Sequence, residues 1–266
     1  IKSNSVSLTY RDAAGEEYLL NLIDTPGHVD FSHEVRRSLM ACDGALIVVD
    51  ASQGVEAQTV ANLYLAMEYD LELLAVINKI DLPAANVERV REEVDADLGL
   101  DPFVAIPVSA KTGEGIDQVL EGIVQHLPPP QGSFEKPVQG LIFDAYFDKY
   151  RGVILQCRMM HGTLKTGDSI RLMHSDREYK IDELGYNQLS LMPRDQLSAG
   201  EVGYIVAGVK SVQDIEVGDT LTLVDHPAAE PIPGYREAKP VVFSSIYPMN
   251  TDCLLYTSDA ADDASS

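Results

Sequence analysis

Gly44-Ala45-Leu46-Ile47-Val48-Val49-Asp50 is a continuous apolar run that ends on a carboxylate. A strand without polar alternation is typical of a parallel sheet that is covered on both faces. Two similar runs follow, residues 73–77 and residues 104–108, in which Pro107 suits a sheet edge better than a sheet centre. Apolar residues at helical spacing occupy the other segments, around residues 60–67, 87–94 and 116–127. This alternation predicts an α/β fold with a doubly wound, mostly parallel sheet.

Upstream of this run, two short apolar segments flank a polar turn. They cover residues 6–10 and residues 18–23, and the turn between them ends in Gly15. The pattern predicts a β-hairpin with a longer loop.

The pattern changes after residues 128–132 (PPPQG), which stop the last helix and stiffen a short linker. Short β-rich runs separated by glycine-containing turns follow, at residues 140–147, 152–160, 168–173 and 201–209. Runs of this kind predict a small antiparallel β-barrel.

The charge is strongly negative, because 42 Asp and Glu residues against 20 Lys and Arg residues give a formal net charge of −22. Such a surface repels phosphate backbones, which argues against direct, sequence-specific nucleic-acid binding by this chain. A bound nucleotide would need local donors and a metal ion. The three cysteines are far apart, which indicates structural thiols in a reduced, cytosolic compartment. No apolar run approaches the length of a membrane span.

The second hairpin strand leads into Asp24-Thr25-Pro26-Gly27-His28-Val29-Asp30-Phe31. In a nucleotide hydrolase, Asp24 at a strand end would hold Mg²⁺, usually through a water. Gly27 would let a backbone N–H approach a γ-phosphate, and His28 would orient the attacking water. The alternative is an ordinary turn, because every residue of Asp-Thr-Pro-Gly favours turns.

Asn78-Lys79-Ile80-Asp81 ends the second apolar run. The carboxylate of Asp81 can accept from the ring N1–H and the exocyclic amine of guanine, a pair of donors that adenine does not offer in that arrangement. Asn78 would brace the loops of the pocket, and the stem of Lys79 would lie over the base plane. The alternative is a chance match to a short motif.

Ser109-Ala110-Lys111 ends the third apolar run, where a backbone N–H would contact the guanine O6. The alternative is an ordinary helix entry, with Thr112 and Gly113 as breakers. All three motifs end predicted strands, in the order γ-phosphate switch, base reader and base support. That order favours a guanine-nucleotide site over three independent turns.

The sequence contains no G-x-x-x-x-G-K-[ST] phosphate loop and no Gly-Lys dipeptide. We therefore expect an interior piece of a larger enzyme, with an incomplete P-loop-type GTPase domain whose remaining strands face water along one edge. We expect this chain by itself to bind GTP poorly and to leave it unhydrolysed, because charge-assisted phosphate contacts are lost.

Longer stretches carry a family resemblance. They are residues 38–59 (SLMACDGALIVVDASQGVEAQT), 78–84 (NKIDLPA), 109–116 (SAKTGEGI), 127–132 (LPPPQG), 143–153 (FDAYFDKYRGV), 218–223 (GDTLTL) and 239–248 (KPVVFSSIYP). Together with the Asp24 motif, they resemble the LepA (elongation factor 4) family of translational GTPases over roughly residues 1 to 250.

The resemblance implies that the parent protein hydrolyses GTP to GDP and phosphate on the ribosome and remodels the translating ribosome, with back-translocation or assembly as proposed roles. It implies that His28 positions the water and that Asp24 binds Mg²⁺. The nucleotide-binding residues that it implies are Asp24, Gly27, Asn78, Lys79, Asp81, Ser109, Ala110 and Lys111. The expected location is the bacterial cytoplasm or an organellar matrix. Peripheral membrane association comes from the resemblance alone.

We predict four parts along the chain. They are a GTPase domain without its phosphate loop and switch I (residues 1–131), a β-barrel translation-factor domain (132–226), a linker with the first strand of a further domain (227–252), and a tail foreign to the family (253–266).

Two alternatives stay open. The first is a non-catalytic interaction module built on a degenerate GTPase domain. The second is another translational GTPase, such as a relative of elongation factor G, which residues 127–132 and 239–248 disfavour.

Overall fold

The computed structural model describes residues 4–26, 32–188 and 190–233. The described residues belong to one compact unit, residues 1–235, and residues 236–266 lie outside the description. The predicted tail and most of the predicted third part therefore fall outside the description. The boundaries after residues 131, 226 and 252 stay predictions.

The predicted hairpin is confirmed. β1 (Asn4–Arg11) and β2 (Glu17–Asp24) are antiparallel in unbroken register, from Asn4 opposite Asp24 to Arg11 opposite Glu17. The polar turn closes on itself because Oδ1 of Asp12 accepts the Glu16 N–H at 2.8 Å, as short acidic side chains do in turns.

The three apolar runs form a parallel sheet in the order β3 (Gly44–Asp50), β4 (Glu72–Asn78), β5 (Ile106–Pro107). Pro107 lies on the edge strand, as its missing N–H requires. The helices are α1 (Ser32–Leu39), α2 (Ala57–Met67), α3 (Val87–Leu98) and α4 (Ile116–His126).

Helices cover both faces of this sheet. Ile47 and Ile77 belong to a core that includes Leu63 of α2 and Val90 of α3. On the other face, Val76 packs with Val119 of α4. The predicted α/β fold with helices on both sides of parallel strands is therefore confirmed.

Among the described residues, the hairpin and the parallel strands form separate sheets. In the described chain, β3 is hydrogen-bonded to β4 alone, so its other edge presents unpaired backbone groups. Val48, on the same face as Leu46, is 56% exposed. The expectation that strands face water along one edge is confirmed.

The remaining strands are antiparallel and form the predicted barrel-type domain. Eight of them pair in the order β10-β9-β15-β6-β7-β14-β11-β12, and β8 pairs with β13. The strands are β6 (Gln139–Asp148), β7 (Gly152–His161), β8 (Thr163–Lys165), β9 (Ser169–Leu172), β10 (Arg177–Lys180), β11 (Glu183–Asn187), β12 (Leu191–Arg194), β13 (Gln196–Ser198), β14 (Val202–Val206) and β15 (Thr220–Leu223). One core that includes Leu155, Leu164 and Leu172 fills the space between them. Within the described residues, no helix has the length and apolar content that a membrane span needs.

The segment from α1 to β3 packs on the barrel. Ala41 lies in a buried cluster with Leu141 and Phe143 of β6 and with Val202 of β14. Beside it, the Arg158 guanidinium of β7 donates to the Asp43 carboxylate at 2.5 Å. The Arg158 side chain is 6% exposed, so this ion pair is largely shielded from water on its cationic side.

A polar network joins the hairpin to the barrel. The Ser5 hydroxyl donates to Gln156 Oε1 at 3.0 Å, and the Asn187 amide donates to the same oxygen at 2.8 Å and to the Ser5 hydroxyl at 2.5 Å. Gln156 is buried, so its carbonyl oxygen depends on these donors.

The ion pair at the barrel surface gives a stability prediction. Replacing Arg158 with methionine leaves the Asp43 carboxylate without its cation, and we expect the free energy of unfolding to fall by about 2–4 kcal/mol. Arg194→Met is the matched control, because Arg194 pairs with Glu201 at 3.1 Å but is 45% exposed; it should cost less than about 1 kcal/mol. Urea denaturation measures both, and equal costs would contradict the structural role of Arg158.

Candidate nucleotide site

Three strands end side by side at the carboxyl-terminal edge of the parallel sheet, which is distinct from the open lateral edge of β3. Asp50, the last residue of β3, lies in register with Asn78, the last residue of β4. The N–H of Val108, directly after β5, donates to the Ile77 carbonyl at 2.8 Å, and the Ile80 N–H donates back to the Val108 carbonyl at 3.2 Å. The loops after β4 and β5 therefore leave the sheet side by side, where parallel sheets place their ligands.

The side chain of Asn78 joins these two loops. Its Oδ1 accepts the Lys79 N–H at 2.8 Å and the Ala110 N–H at 3.0 Å. One amide oxygen thus satisfies two backbone donors, one on the next residue and one that is 32 residues away along the chain. This contact, together with the two backbone hydrogen bonds of Val108, sets the relative position of the loops.

Asp81 contacts the loop after β5 through Ser109. The Ser109 hydroxyl, which is fully buried, donates to Asp81 Oδ1 at 2.7 Å and accepts the Thr112 N–H at 3.2 Å. Lys111 Nζ lies 3.9 Å from Asp81 Oδ2, but its side chain is 83% exposed, so water screens this ion pair. A carboxylate can accept about four hydrogen bonds, which leaves Asp81 free to accept two further donors.

Lys79 adopts a left-handed backbone conformation with φ of 68°. Its ammonium lies 2.6 Å from Asp50 Oδ2, while Asp50 Oδ1 accepts the Ser52 hydroxyl at 2.6 Å. The Lys79 ammonium, followed by the Ser52 hydroxyl, holds the pKa of Asp50 well below its usual range. The same ion pair raises the pKa of Lys79.

The structure brings six of the predicted site residues together at this edge: Asn78, Lys79, Asp81, Ser109, Ala110 and Lys111. It adds Asp50, which sequence analysis did not assign to the site. The signal for Asp50 was its position as the last residue of a buried parallel strand, the place where such sheets carry functional side chains.

The residues predicted to bind the phosphates lie partly outside the described chain. Asp24 ends β2 and is exposed, and no hydrogen bond or ion pair connects its carboxylate to another described residue. Gly27 and His28 lie outside the described residues. In the part of the chain that is described, no cluster of three or more His, Cys, Asp or Glu side chains is arranged to hold a metal ion.

Two family models match the chain. The model of the elongation factor Tu GTP binding domain covers residues 1–129, and that of elongation factor Tu domain 2 covers residues 152–222. The first match contains the parallel sheet and all six converging residues, and the second lies within the antiparallel strands. The fold and the site thus define the class: a GTPase domain of the translation-factor type, followed by its β-barrel.

The curated relatives narrow this class. The chain is 74% identical over 252 residues to "Elongation factor 4 2" of Rhodopirellula baltica and 57% identical to elongation factor 4 of Syntrophus aciditrophicus, in each case over 95% of this chain and 42% of the relative. It is 53% identical to elongation factor 4 of Syntrophobacter fumaroxidans over 98% of this chain and 44% of the relative. The chain belongs to the elongation factor 4 (LepA) family of translational GTPases and spans less than half the length of these relatives. Neither the interaction-module alternative nor an elongation factor G relative is favoured.

The Asp50–Lys79 ion pair predicts a pH dependence of stability. The pKa of Asp50 is depressed in the folded state, so its contribution is present above the unfolded pKa, near pH 4, and is lost as pH falls further. The difference in unfolding free energy between the wild type and Asp50→Asn should therefore be largest above about pH 5 and shrink towards pH 2 to 3. Urea denaturation at a series of pH values measures it.

The control is Asp97→Asn, which removes one exposed carboxylate from α3. We expect its difference from the wild type to be small at every pH. A pH-independent difference for Asp50→Asn would show that the charge of Asp50 does not stabilise the fold.

Proposed function

We propose that the full-length protein binds GTP at the edge formed by β3, β4 and β5 and hydrolyses it to GDP and phosphate on the ribosome, where it remodels the translating complex. The observation that supports this proposal most directly is the pairing of Asp81 with a fully buried Ser109, at a loop junction fixed by Asn78. Membership of a translation-factor family supports the ribosome as partner and the cytoplasm as location.

Base recognition falls to Asp81. The Ser109 hydroxyl donates a hydrogen bond to one oxygen of the Asp81 carboxylate and so fixes the carboxylate in place. The remaining lone pairs accept two parallel donors, and guanine offers two, its N1–H and its 2-amine. Hydrogen bonds to a charged acceptor are the strong ones, so this contact would decide the choice of base. The backbone around Ala110 would supply the donor for O6, and Lys111 would flank the pocket.

Hydrolysis falls to the segment after β2. The Asp24 carboxylate is exposed and offers the oxygen ligands that Mg²⁺ prefers. The described residues form no complete metal cluster, so phosphate oxygens and water would complete the coordination of Mg²⁺. The ion would neutralise charge on the phosphates. The Gly27 N–H would bind the γ-phosphate, and His28 would orient the attacking water.

The open edge of β3 supports the proposal that the phosphate loop lies elsewhere in the full-length protein. β3 has a hydrogen-bonded neighbour on one side only within the described chain, and Val48 beside that edge is 56% exposed. A further strand would satisfy the backbone groups of this edge, and a helix would cover Val48. The relatives are more than twice as long as the matched region, which leaves ample chain for both.

The packing of α1 on the barrel supports a route from nucleotide to ribosome. α1 directly follows the γ-phosphate segment, and Ala41 after it is buried against Leu141 and Phe143. A change in the γ-phosphate segment would therefore act on the barrel through packed side chains rather than through a flexible linker.

The first functional prediction concerns the base. In the full-length protein, Asp81→Asn replaces one acceptor oxygen with an amide donor, which opposes the guanine 2-amine but complements the 2-carbonyl of xanthine. We expect GDP affinity to fall by about 10²-fold or more and xanthosine diphosphate affinity to rise. Competition with a fluorescent nucleotide measures both, with Asp97→Asn as the charge-matched control. An unchanged preference for GDP would rule out Asp81 as the base reader.

The second functional prediction concerns the hydrolysis of GTP. His28→Ala in the full-length protein should lower the ribosome-stimulated rate of GTP hydrolysis by about 10²- to 10⁴-fold while leaving the Kd for GTP within a few-fold of the wild type. His126→Ala, at the exposed end of α4, is the control and should hydrolyse normally. Single-turnover phosphate release measures the rate. Normal hydrolysis by His28→Ala would remove this residue from the mechanism.

A further inference from the structure

Every polar group of Lys79 has a partner. Its N–H donates to Asn78 Oδ1 at 2.8 Å, its carbonyl accepts the Leu82 N–H at 3.1 Å, and its ammonium lies 2.6 Å from Asp50 Oδ2. Its left-handed φ of 68° is one that L side chains rarely adopt. The side chain nevertheless remains 56% exposed. An exposed lysine held at both of its ends is unusual, because the free side chain has much rotamer freedom to lose.

The carboxylate of Asp50 is held in place by groups other than Lys79. Its oxygen Oδ1 accepts three donors from the following loop: the Ser52 N–H at 2.7 Å, the Ser52 hydroxyl at 2.6 Å and the Gln53 N–H at 3.2 Å. The Ala51 N–H also donates to the Asn78 carbonyl at 2.7 Å, which extends the bonding between β3 and β4 by one residue. Oδ2 is the oxygen that Lys79 contacts.

The loop after β3 is anchored in turn to α3. Glu93 Oε2 accepts the Val55 N–H at 2.9 Å, and a Cβ added at Gly54 would lie 2.0 Å from that oxygen. Arg89 donates to the Ser52 carbonyl at 3.0 Å and pairs with Glu93 at 3.2 Å. The loop that presents Asp50 is therefore held on both sides, by the sheet and by the helix.

We infer that Asp50 is a positioning residue of the base site, which holds the side chain of Lys79 stretched from the end of β4 towards β3 before a nucleotide binds. This inference rests on the proposed function. The methylenes of Lys79 then form a preformed apolar wall for the base. Its ammonium is neutralised by Asp50 and is not directed at a phosphate.

Both partners are ionised through the physiological pH range, because the ion pair lowers the pKa of Asp50 and raises the pKa of Lys79 from values that already lie on either side of neutrality. Preorganisation of this kind raises affinity by removing an ordering cost at the moment of binding. For one long side chain, that cost corresponds to about a five- to thirtyfold change in Kd.

A double-mutant cycle on the full-length protein tests this role. The Kd for GDP is measured for the wild type, Asp50→Asn, Lys79→Met and the double variant, with melting temperatures recorded for each. Asp50→Asn keeps an oxygen for the loop donors but loses the charge that holds Lys79, and Lys79→Met keeps an unbranched stem without an ammonium. Asp97→Asn is the charge-matched control and should bind GDP normally.

We expect Asp50→Asn to weaken GDP binding by about tenfold in the wild-type background and to have no further effect in the Lys79→Met background. Equal weakening in both backgrounds would show that Asp50 acts on the loop and not through Lys79, which overturns the inference. A wild type that does not bind GDP would instead overturn the proposed function.

A second measurement needs no variant. The side chain of Lys79 should show high ¹³C-methylene order parameters in the nucleotide-free full-length protein, whereas Lys111, which is 83% exposed and 3.9 Å from its carboxylate, should be mobile. Equal mobility of the two lysine side chains would overturn the inference even if Asp50→Asn does not fold.

Discussion

The hydrogen bond from the Ala110 N–H to Asn78 Oδ1, at 3.0 Å, is the contact on which the candidate site depends. The parallel register of β4 and β5 brings the two loops to the same edge, and backbone hydrogen bonds between them continue only as far as Ile80 and Val108. Beyond that point, the side chain of Asn78 continues the connection. Asp81 and Ser109 contact each other on the two loops that it joins, so the proposed base recognition depends on this amide contact.

Charge in this site is balanced locally. Lys79 is paired with Asp50, and Lys111 lies near Asp81, in a protein with a formal net charge of −22. The charge of Lys79 is balanced by Asp50, so the proposed site would recognise the base through directed hydrogen bonds and a shaped surface rather than through the field of this lysine. In the proposed function the phosphates would depend on Mg²⁺ and on backbone donors, which is the division of roles that the strand-end motifs predict.

The contact between the α/β part of the chain and the barrel also contains a local pair of opposite charges. Arg158 and Asp43 form an ion pair that is largely buried on the arginine side, next to an apolar cluster built from Ala41 and Phe143. A pair in this environment has a narrow choice of geometry, since moving either partner leaves a charge without compensation. The segment that follows the γ-phosphate motif is therefore coupled to the barrel by both packing and charge.

Much of the fold and most of the site were determined by the sequence itself. The apolar runs, the helical periodicity, the hairpin turn and the strand-end motifs are local signals, and they predicted the hairpin, β3, β4, the helices α2, α3 and α4, and the six residues that converge. Of the ten barrel strands they predicted four, which are β6, β7, β9 and β14. The pairing of Asp50 with Lys79, the pairing of Arg158 with Asp43 across 115 residues, and the division into two separate sheets were decided by the tertiary structure alone. The sequence does not pair these charged residues, because the identity of a charge does not reveal which distant partner the folded chain places beside it.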